Sequence, residues 1–429
     1  MQRIFSWTLA SAILVLSPSF ARATDAIAPG FGIDATHAYP TSDIYTTLPN
    51  GNRVTFDGLN VALETDSGTP LGTLGSIGAQ AFGSFLVVDP TGTYVLLGEN
   101  TTGAIYKVAF SGGATLLADL DYNFDATFED AAHVLVSAAT GQGNDIYSID
   151  VNSGLSTNIV HTGGYSGPIA RASNGDLYYC TQDDSSFPAP PASSRILRWT
   201  NAQIHSGVLQ SEGTASLFAA GLDGGSSMKF ENVYGHLFVC EAPFVGTNRI
   251  LEFDSAGTRV DEIVTTANTL SALEFFYGPG AASFQAFQPA NVTMKYRSTD
   301  YNVTYTSSIV TVSPRRPLAA VSGPGLTGVG SVTFTVTGAH PNSSFFLLAG
   351  AIGVYNPIET AYNNGTYLFH TGIPYTSIRR TGINALTDAN GTGSFTYYNP
   401  GNLQGTRVLQ ALIRDDHGAF AGSSNAAPN

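Results

Sequence analysis

The sequence predicts an all-β protein, a six-bladed β-propeller followed by a small β-sandwich domain. Three observations lead to this fold class. Residues 84–117 contain four short apolar segments separated by turn sequences, and a four-residue motif from that stretch recurs along residues 61–292. Beyond Pro317 the repeat vanishes, although strand-like alternation continues. The composition agrees, since 47 Gly, 25 Phe and 20 Tyr with only 12% charged residues favour strands and turns over amphipathic helices.

The stretch from residue 84 to 117 is one complete structural unit. Pro90 fixes φ and Gly92 readily adopts positive φ, so Asp89-Pro-Thr-Gly92 predicts a tight turn. Gly112-Gly113 predicts a second hairpin. The predicted strands are Ser84–Val88, Tyr94–Leu97, Ile105–Phe110 and Thr115–Leu117. Together they predict a four-stranded antiparallel meander.

The third strand of that unit marks the repeats. An apolar tetrad of the type Ile-Tyr-Lys-Val begins at four positions, and weaker copies precede and follow these; the six starts are Val61, Ile105, Ile146, Ile196, Ile250 and Val292. Spacings of roughly 40 to 55 residues are typical of propeller blades. Six marks predict six blades within residues 24–312. Residues 24–39 form a lead-in segment, and whether they complete the last blade stays open at this point.

The order of apolar strand, Asp-Pro-x-Gly turn, apolar strand and Ile-Tyr-x-apolar strand resembles the NHL and SMP-30/gluconolactonase-like β-propellers, over roughly residues 40–312. This resemblance implies an architecture, because such propellers include lactonases, lyases and binding modules. In the SMP-30-like lactonases a bound divalent ion polarises the lactone carbonyl while a carboxylate assists attack by water. The Glu-Gly-Pro opening of those lactonases is absent from this sequence.

The ends of the chain carry a targeting signal and an accessory domain. Residues 1–23 read as a secretory signal peptide, with Arg3, an apolar stretch at residues 9–16 and Ala21-Arg-Ala23 before cleavage. We therefore expect a secreted or periplasmic protein. Residues 313–317 predict a linker, and residues 318–429 predict a β-sandwich that resembles Ig-like or fibronectin-like modules.

The net charge and the hydropathy of the sequence exclude several classes of binding partner. A formal net charge of −14 argues against binding to nucleic acid or to anionic membranes. No segment of the mature chain reaches the length of an apolar membrane span. We expect a monomer without a membrane span.

Cys180 and Cys240 hold the same place in the second strands of neighbouring blades. An even number of cysteines in a secreted chain invites a disulfide. Equivalent positions in sheets packed about 10 Å apart are too distant for a bridge, which requires Cα atoms within about 7 Å. We expect two buried free thiols.

Polar residues cluster where second strands end, on the face that also carries the links between blades. The ligand-binding candidates are Glu99, Asn100, Asp125, Gln182, Asp183 and Glu241. Because Ca²⁺ takes six to eight oxygen ligands, Glu99, Asp125 and Glu241 are candidate ligands for a calcium ion. The alternative is that these acids are solvated loop residues. A Pro/Ser-rich insertion at residues 183–194 lengthens one loop of this face.

Two functions follow from these patterns. The leading hypothesis is a secreted propeller that acts as a binding or scaffold protein and recognises a small molecule, a glycan or a protein through its loop face. The alternative is a calcium-dependent, lactonase-like hydrolase or lyase. Zinc-protease and Gly-x-Ser-x-Gly esterase motifs are absent, so the sequence alone leaves the question of catalysis open. A third hypothesis is a structural surface protein.

Overall fold

The structure is a computed structural model, and most of it consists of six sheets, each built on four antiparallel strands; a fifth strand extends two of them. The first strands of these sheets contact one another in a closed cycle, so the sheets are arranged radially as a six-bladed β-propeller. The structure describes residues 25–28, 31–39, 44–140, 143–232, 235–243, 246–278, 292–301, 306–314, 320–322, 329–337, 344–351, 356–362, 365–371, 379–401, 407–414 and 420–423. The predicted signal peptide, residues 1–23, lies outside them.

Two strands precede the first blade, and the first three blades then follow as simple meanders. The leading strands are β1 (Ala26–Ile27) and β2 (Phe31–Ala38). Blade 1 contains β3 (Ile44–Thr47), β4 (Arg53–Phe56), β5 (Asn60–Glu64) and β6 (Pro70–Ser76). Blade 2 contains β7 (Gly83–Val88), β8 (Tyr94–Glu99), β9 (Ala104–Ala109) and β10 (Ala114–Asp119). Blade 3 contains β11 (Asn123–Phe128), β12 (His133–Thr140), β13 (Gly143–Asp150) and β14 (Ser156–Thr162).

Blade 4 carries the longest insertions, and its inner strands are β15 (Ile169–Arg171), β16 (Leu177–Thr181) and β17 (Ser194–Trp199). A short helix α1 (Asn201–Ile204), the strand β18 (Gln210–Ser211) and a 3₁₀ turn (Glu212–Thr214) precede its outer strand β19 (Ser216–Leu222). β18 pairs in parallel with β14 of blade 3. Blade 5 contains β20 (Gly225–Phe230), β21 (Leu237–Glu241), β22 (Asn248–Phe253) and β23 (Arg259–Thr266).

Blade 6 closes the ring with strands from both ends of the propeller. Its three inner strands are β24 (Thr269–Tyr277), β25 (Val292–Asp300) and β26 (Thr306–Pro314), and β2 pairs antiparallel with β26 as the outer strand. β1 extends blade 5 by pairing with β23. The lead-in segment therefore completes the last blade, which the sequence left open. Val292 begins the second strand of blade 6, so its prediction as a third-strand mark was wrong, although the count of six blades is confirmed.

Aspartate-capped hairpins shape the blades. The Asp89 carboxylate accepts hydrogen bonds from the backbone N–H groups of Thr91 (3.0 Å), Thr93 (2.6 Å) and Tyr94 (2.8 Å), while Gly92 adopts φ +69°. Burial acts to raise the pKa of this carboxyl, but the Thr91 hydroxyl and the three amides together hold it below its usual value. Residues 89–92 thus form the tight turn that their Asp-Pro-Thr-Gly motif predicts.

The hydrophobic core lies between blades. Alternate residues of one strand point to opposite faces of its sheet. Leu96 therefore packs with Val134 and Val136 of blade 3, whereas its neighbour Leu97 packs with Val54 of blade 1. Blade 2 thus shares a core with both of its neighbours.

Hydrogen bonds near the centre join the first strands of neighbouring blades. An Asp125 oxygen accepts from the Ile169 amide at 3.0 Å, between blades 3 and 4. The Ser227 hydroxyl accepts from the Leu273 amide at 3.0 Å, between blades 5 and 6. The first strands of two neighbouring blades do not pair with each other in a sheet. These hydrogen bonds therefore fix their relative positions.

Both cysteines are free and buried, as predicted. Burial raises the pKa of Cys180 to about 12 and also raises that of Cys240. In the described residues no helix is long and apolar enough to cross a membrane.

The C-terminal region has a core of its own. Its strands are β27 (Ala320–Ser322), β28 (Gly330–Thr337), β29 (Ser344–Ala351), β30 (Asn356–Tyr362), β31 (Gly365–Thr371), β32 (Arg379–Leu386), β33 (Gly393–Asn399), β34 (Arg407–Arg414) and β35 (Phe420–Ser423). They form a three-stranded, a four-stranded and a two-stranded sheet. Phe334 and Phe395 of the first sheet share one buried cluster with Phe345 and Leu409 of the second. The Ig-like assignment stays a prediction.

The predicted linker begins inside blade 6. Ser313 and Pro314 end β26, where they pair with Gly32 and Phe31. The rest of that linker, residues 315–317, lies outside the described residues.

Candidate ligand pocket

One face of the propeller carries the loops between second and third strands together with the links from each blade to the next; we call it the linker face. It follows from the meander, because antiparallel strands return the chain to the same side after every second strand. Glu99, Asn100, Gln182, Asp183 and Glu241 all lie at this face, directly at or after the ends of second strands.

Glu99 caps its own loop. Its carboxylate accepts hydrogen bonds from the amides of Thr101 (2.8 Å), Thr102 (3.1 Å) and Ala104 (3.0 Å) and from the Thr102 hydroxyl. Burial acts to raise the pKa of Glu99, but these donors together hold it below its usual value. Asn100 is exposed in the same turn, and its backbone N–H donates to Phe82. This pair therefore shapes the β8–β9 loop.

Asp125 lies among the first strands, near the propeller axis. Burial raises its pKa to about 6, against the lowering effects of the Lys229 charge and of the Ile169 and Ala126 amides. Lys229 Nζ lies 3.6 Å from Glu274 Oε1, and the field of Glu274 and Asp125 raises the pKa of Lys229. Three charged residues from blades 3, 5 and 6 thus influence one another here.

Glu241 supports the link between blades 4 and 5. One carboxylate oxygen accepts the Asp223 amide at 2.6 Å, and the other accepts Arg249 Nε at 2.6 Å. Arg249 also reaches the Asp223 carboxylate at 3.4 Å. Glu241 is buried, so its role in this geometry is to position Asp223 and Arg249.

The Pro/Ser-rich insertion of blade 4 is tied to both neighbouring links. The Tyr165 hydroxyl donates to the Ser186 carbonyl at 3.1 Å, and the Ala192 amide donates to the Asp223 carboxylate at 2.5 Å. At its start, the Asp183 carboxylate accepts the Ser185 amide at 2.8 Å. The first two bonds anchor the loop to the blade 3–4 link and to the blade 4–5 link.

A cavity of about 440 Å³ lies under this loop; we call it the linker pocket. Its walls are mainly aromatic, proline and alanine side chains with three polar residues, and the lining consists of Tyr165, Gln182, Ser186, Phe187, Pro188, Ala189, Pro190, Pro191, Asp223, Ala242 and Pro243. The volume lies within the usual range of small-molecule sites, about 300–1,000 Å³. Its composition also fits such sites, which combine apolar walls with a few placed polar groups.

The pocket can offer two kinds of contact. Phe187 is 72% exposed and meets Tyr165 edge to face at 6.4 Å between ring centroids. The Gln182 amide can both donate and accept hydrogen bonds, and the Asp223 carboxylate accepts them. A ring with an apolar face and hydroxyl groups at its edge matches this combination.

The structure distributes the six predicted site residues over three places. Gln182, Asp183 and Glu241 gather at or beside the linker pocket, Glu99 and Asn100 form the blade 2 loop, and Asp125 lies near the axis. Within the part of the chain that the structure describes, no group of three or more His, Cys, Asp or Glu is placed to share a metal ion. The calcium hypothesis at Glu99, Asp125 and Glu241 stays a prediction, with each carboxylate bound to separate partners.

Sequence reasoning missed Tyr165, Phe187, Asp223 and Arg249. Phe187 could have been found, because it is the aromatic residue of an insertion already identified as a lengthened loop. Tyr165 and Asp223 lie in links between blades and contact the insertion only after the blades pack. No local sequence signal marks that contact.

No family model matches this chain, and no curated protein matches it either. It is similar to solved structures at low identity. A gluconolactonase from Xanthomonas campestris is 13% identical with a TM-score of 0.44, over 68% of this chain and 99% of the other. A calcium structure of the Trichoderma reesei Carbohydrate-Active Enzymes Family AA12 is 11% identical with a TM-score of 0.46, over 68% and 97%.

A virginiamycin B lyase from Staphylococcus aureus is 11% identical with a TM-score of 0.40, over 68% of this chain and 99% of that protein. The blade count given above rests on the strand pairing of this chain itself.

Proposed function

We propose that this chain is a secreted binding protein that holds a neutral carbohydrate in the linker pocket. The observation that carries the proposal is the insertion of blade 4, whose hydrogen bonds to Tyr165 and Asp223 fix it over a preformed cavity. Preformed concave sites bind small ligands without the cost of ordering a loop.

The chemistry of the walls supports a sugar ring. The apolar C–H face of a pyranose packs well against aromatic and proline side chains, and its hydroxyls can donate to Asp223 and exchange hydrogen bonds with Gln182. Glu241 accepts a hydrogen bond from the Asp223 backbone amide, and Arg249 donates one to the Asp223 carboxylate. The carboxylate is therefore oriented before a ligand enters.

Saturation-transfer NMR with cellobiose, maltose, xylobiose and chitobiose would test the proposal. We expect at least one disaccharide to bind the wild-type protein, and Phe187→Ala to weaken it at least tenfold, as loss of an aromatic anchor does. Phe187 is 72% exposed, so the substitution should leave the melting temperature nearly unchanged.

Phe82→Ala is the matched control, because Phe82 is 69% exposed in the link from blade 1 to blade 2 on the same face. This variant should bind as the wild type does. If none of the four sugars binds, or if both variants bind like the wild type, the linker pocket is not a carbohydrate site.

The alternative function is a calcium-dependent hydrolase or lyase of the lactonase-like type. What favours it is Asp125, whose carboxyl has a pKa of about 6 and is therefore suited to acid–base chemistry near neutral pH. Thermal unfolding in EDTA and then in millimolar Ca²⁺ separates the two functions. Calcium at 100 times its dissociation constant would add about 2.7 kcal/mol to the stability of the folded state.

A rise in melting temperature that Asp125→Asn and Glu241→Gln both abolish would support the enzyme. An unchanged melting temperature would leave the binding function as the one to pursue.

A further inference from the structure

A second cavity, of about 510 Å³, opens on the face opposite the linker face; we call it the far pocket. First strands begin at the linker face, so their last residues, such as Phe128, Arg171 and Phe230, reach the opposite side. The cavity lies among blades 3, 4 and 5, and none of the residues singled out from the sequence lines it.

Aromatic rings form the walls of the far pocket. The Tyr178 ring lies edge to face with Phe218 at 5.0 Å and with Phe230 at 4.9 Å between centroids, and Phe128 also lines the cavity. Such pairs fix one another's rotamers, so the walls are rigid. A flat ring would find preformed apolar surface here.

Arg198 adds a positive charge to the far pocket, and Asp176, outside the lining, orients its guanidinium. Its Nε and Nη2 donate to Asp176 at 2.9 and 2.6 Å, and Asp176 is not part of the lining. In the described part of the chain, no hydrogen bond is found for Nη1 of Arg198. The Arg198 guanidinium carbon also lies 6.0 Å from the centre of the Tyr178 ring, which places the charge beside the aromatic wall.

Arg171 has a different role from Arg198. It donates through Nε to Gly175, through Nη1 to Glu129 and through Nη2 to Asn201, so its guanidinium is committed to the scaffold. Glu231 also lines the cavity, but it is fully buried and accepts the Tyr277 hydroxyl at 3.2 Å. Arg198, 36% exposed, is therefore the charged group best placed to meet a ligand.

We propose that the far pocket is a second binding site, which takes a ring-shaped carboxylate with its ring against the aromatic walls and its carboxylate on Arg198. Guanidinium groups favour carboxylates through short charge-assisted hydrogen bonds. In a chain of net charge −14, a guanidinium already oriented by a buried acid gives this site a selectivity for anions that the surrounding surface lacks. The ring can belong to an aromatic acid or to a sugar acid, since both present a flat face and one carboxylate.

Isothermal titration of the full chain with 4-hydroxybenzoate and with glucuronate tests the proposal and separates the two sources. The neutral analogues phenol and glucose serve as ligand controls. We expect one of the acids to bind, and its neutral analogue to bind at least tenfold more weakly. Arg198→Met should abolish the difference, because it removes the charge and keeps most of the side-chain volume.

Arg195→Met is the matched protein control, since Arg195 belongs to the same strand, is 49% exposed and pairs with Glu212 outside the cavity. It should leave binding unchanged. Ser255→Trp is an independent variant, because Ser255 lies in an exposed turn at the cavity rim and a large ring there should block entry without loss of stability.

Absence of binding for both acids, or binding that survives both Arg198→Met and Ser255→Trp, would overturn the proposal. Binding that Phe187→Ala abolishes instead would place the acid in the linker pocket and would equally count against the far pocket.

Discussion

At the scale of single residues, two acids of the propeller show how the environment decides what a carboxylate does. Glu99 is 1% exposed and accepts hydrogen bonds from three amides and a hydroxyl, so its charged form is stabilised. Asp125 accepts from only two amides, and the effect of burial on its pKa outweighs theirs. Its neutral form is therefore stabilised relative to the charged form. The two were equivalent candidates in the sequence and have different chemistry in the fold.

Glu99→Gln should destabilise the protein by about 2–3 kcal/mol, because an amide cannot accept from all the donors that surround the carboxylate. The pKa of Glu99 is lowered in the folded state, so its stabilising effect is present at neutral pH and is lost as the pH falls. Urea unfolding at pH 7 and pH 4 should show the deficit shrinking at the lower pH. Asn100→Ala in the same exposed turn should change the stability by less than about 0.5 kcal/mol; equal effects of the two variants would contradict a capping role.

Asp125→Asn should change how stability depends on pH. The folded-state pKa of about 6 lies above the ordinary 3.8, so the folded protein binds the extra proton between these values. Wild-type stability should therefore fall as the pH rises from about 4 to about 6, by roughly 2–3 kcal/mol relative to the variant. The measurement is urea unfolding of both proteins at several pH values, with Asp183→Asn as an exposed control. A difference between wild type and Asp125→Asn that stays constant with pH would show that Asp125 titrates normally.

At the scale of elements, the N-terminal strand β2 closes the ring of blades. It pairs with β26 along nearly its whole length, including Ile33 with Val312 and Thr36 with Val310. Its Phe31 joins the core formed by blades 5 and 6. An N-terminal strand thus closes a blade whose other strands lie more than 200 residues later, and the ring has no free edge at that point.

A chain that begins at Tyr39 should unfold at a temperature roughly 10 °C or more below that of a chain that begins at Asp25, because it loses the ladder and the apolar contacts of β2 and the short pairing of β1 with β23. Calorimetry of both proteins measures this difference. The shortened chain should also aggregate on heating, since the edge of β26 is exposed. Equal melting temperatures would mean that β2 contributes little to closure.

At the scale of the whole molecule, two sets of cores are separate. The buried cluster of the C-terminal region contains residues from Phe334 to Ala411, and the propeller clusters formed by described residues end at Val312. Regions with independent cores usually fold independently. The boundary at residues 313–317 stays a prediction.

A fragment of residues 25–314 should therefore fold alone and keep the melting transition of the propeller, and a fragment of residues 318–429 should show its own. Calorimetry of the fragments and of the full chain checks this, and the full-chain trace should equal the sum of the two. A fragment of residues 25–314 that fails to fold would show that the C-terminal region is needed for propeller stability.

The sequence by itself determined the class of the fold, the period of the blades and most hairpins. These features depend on local information: strand alternation, Asp-Pro-Thr-Gly at residues 89–92 and the tetrads from Ile105 to Ile250. It also predicted the two free thiols, because register within the repeat sets the distance between Cys180 and Cys240. The Val292 mark failed since an apolar tetrad fits a second strand as well as a third.

Only the tertiary structure decided which contacts join distant parts of the chain. β2 pairs with β26, Asp125 accepts from Ile169, and Tyr165 and Asp223 hold the blade 4 insertion. Each of these contacts lies between blades or between the two ends of the ring, where partners are brought together by packing and closure rather than by spacing in sequence. The two pockets also lie at boundaries between blades. A single sequence therefore predicted the blades, whereas the binding surfaces form only when the blades assemble into a ring.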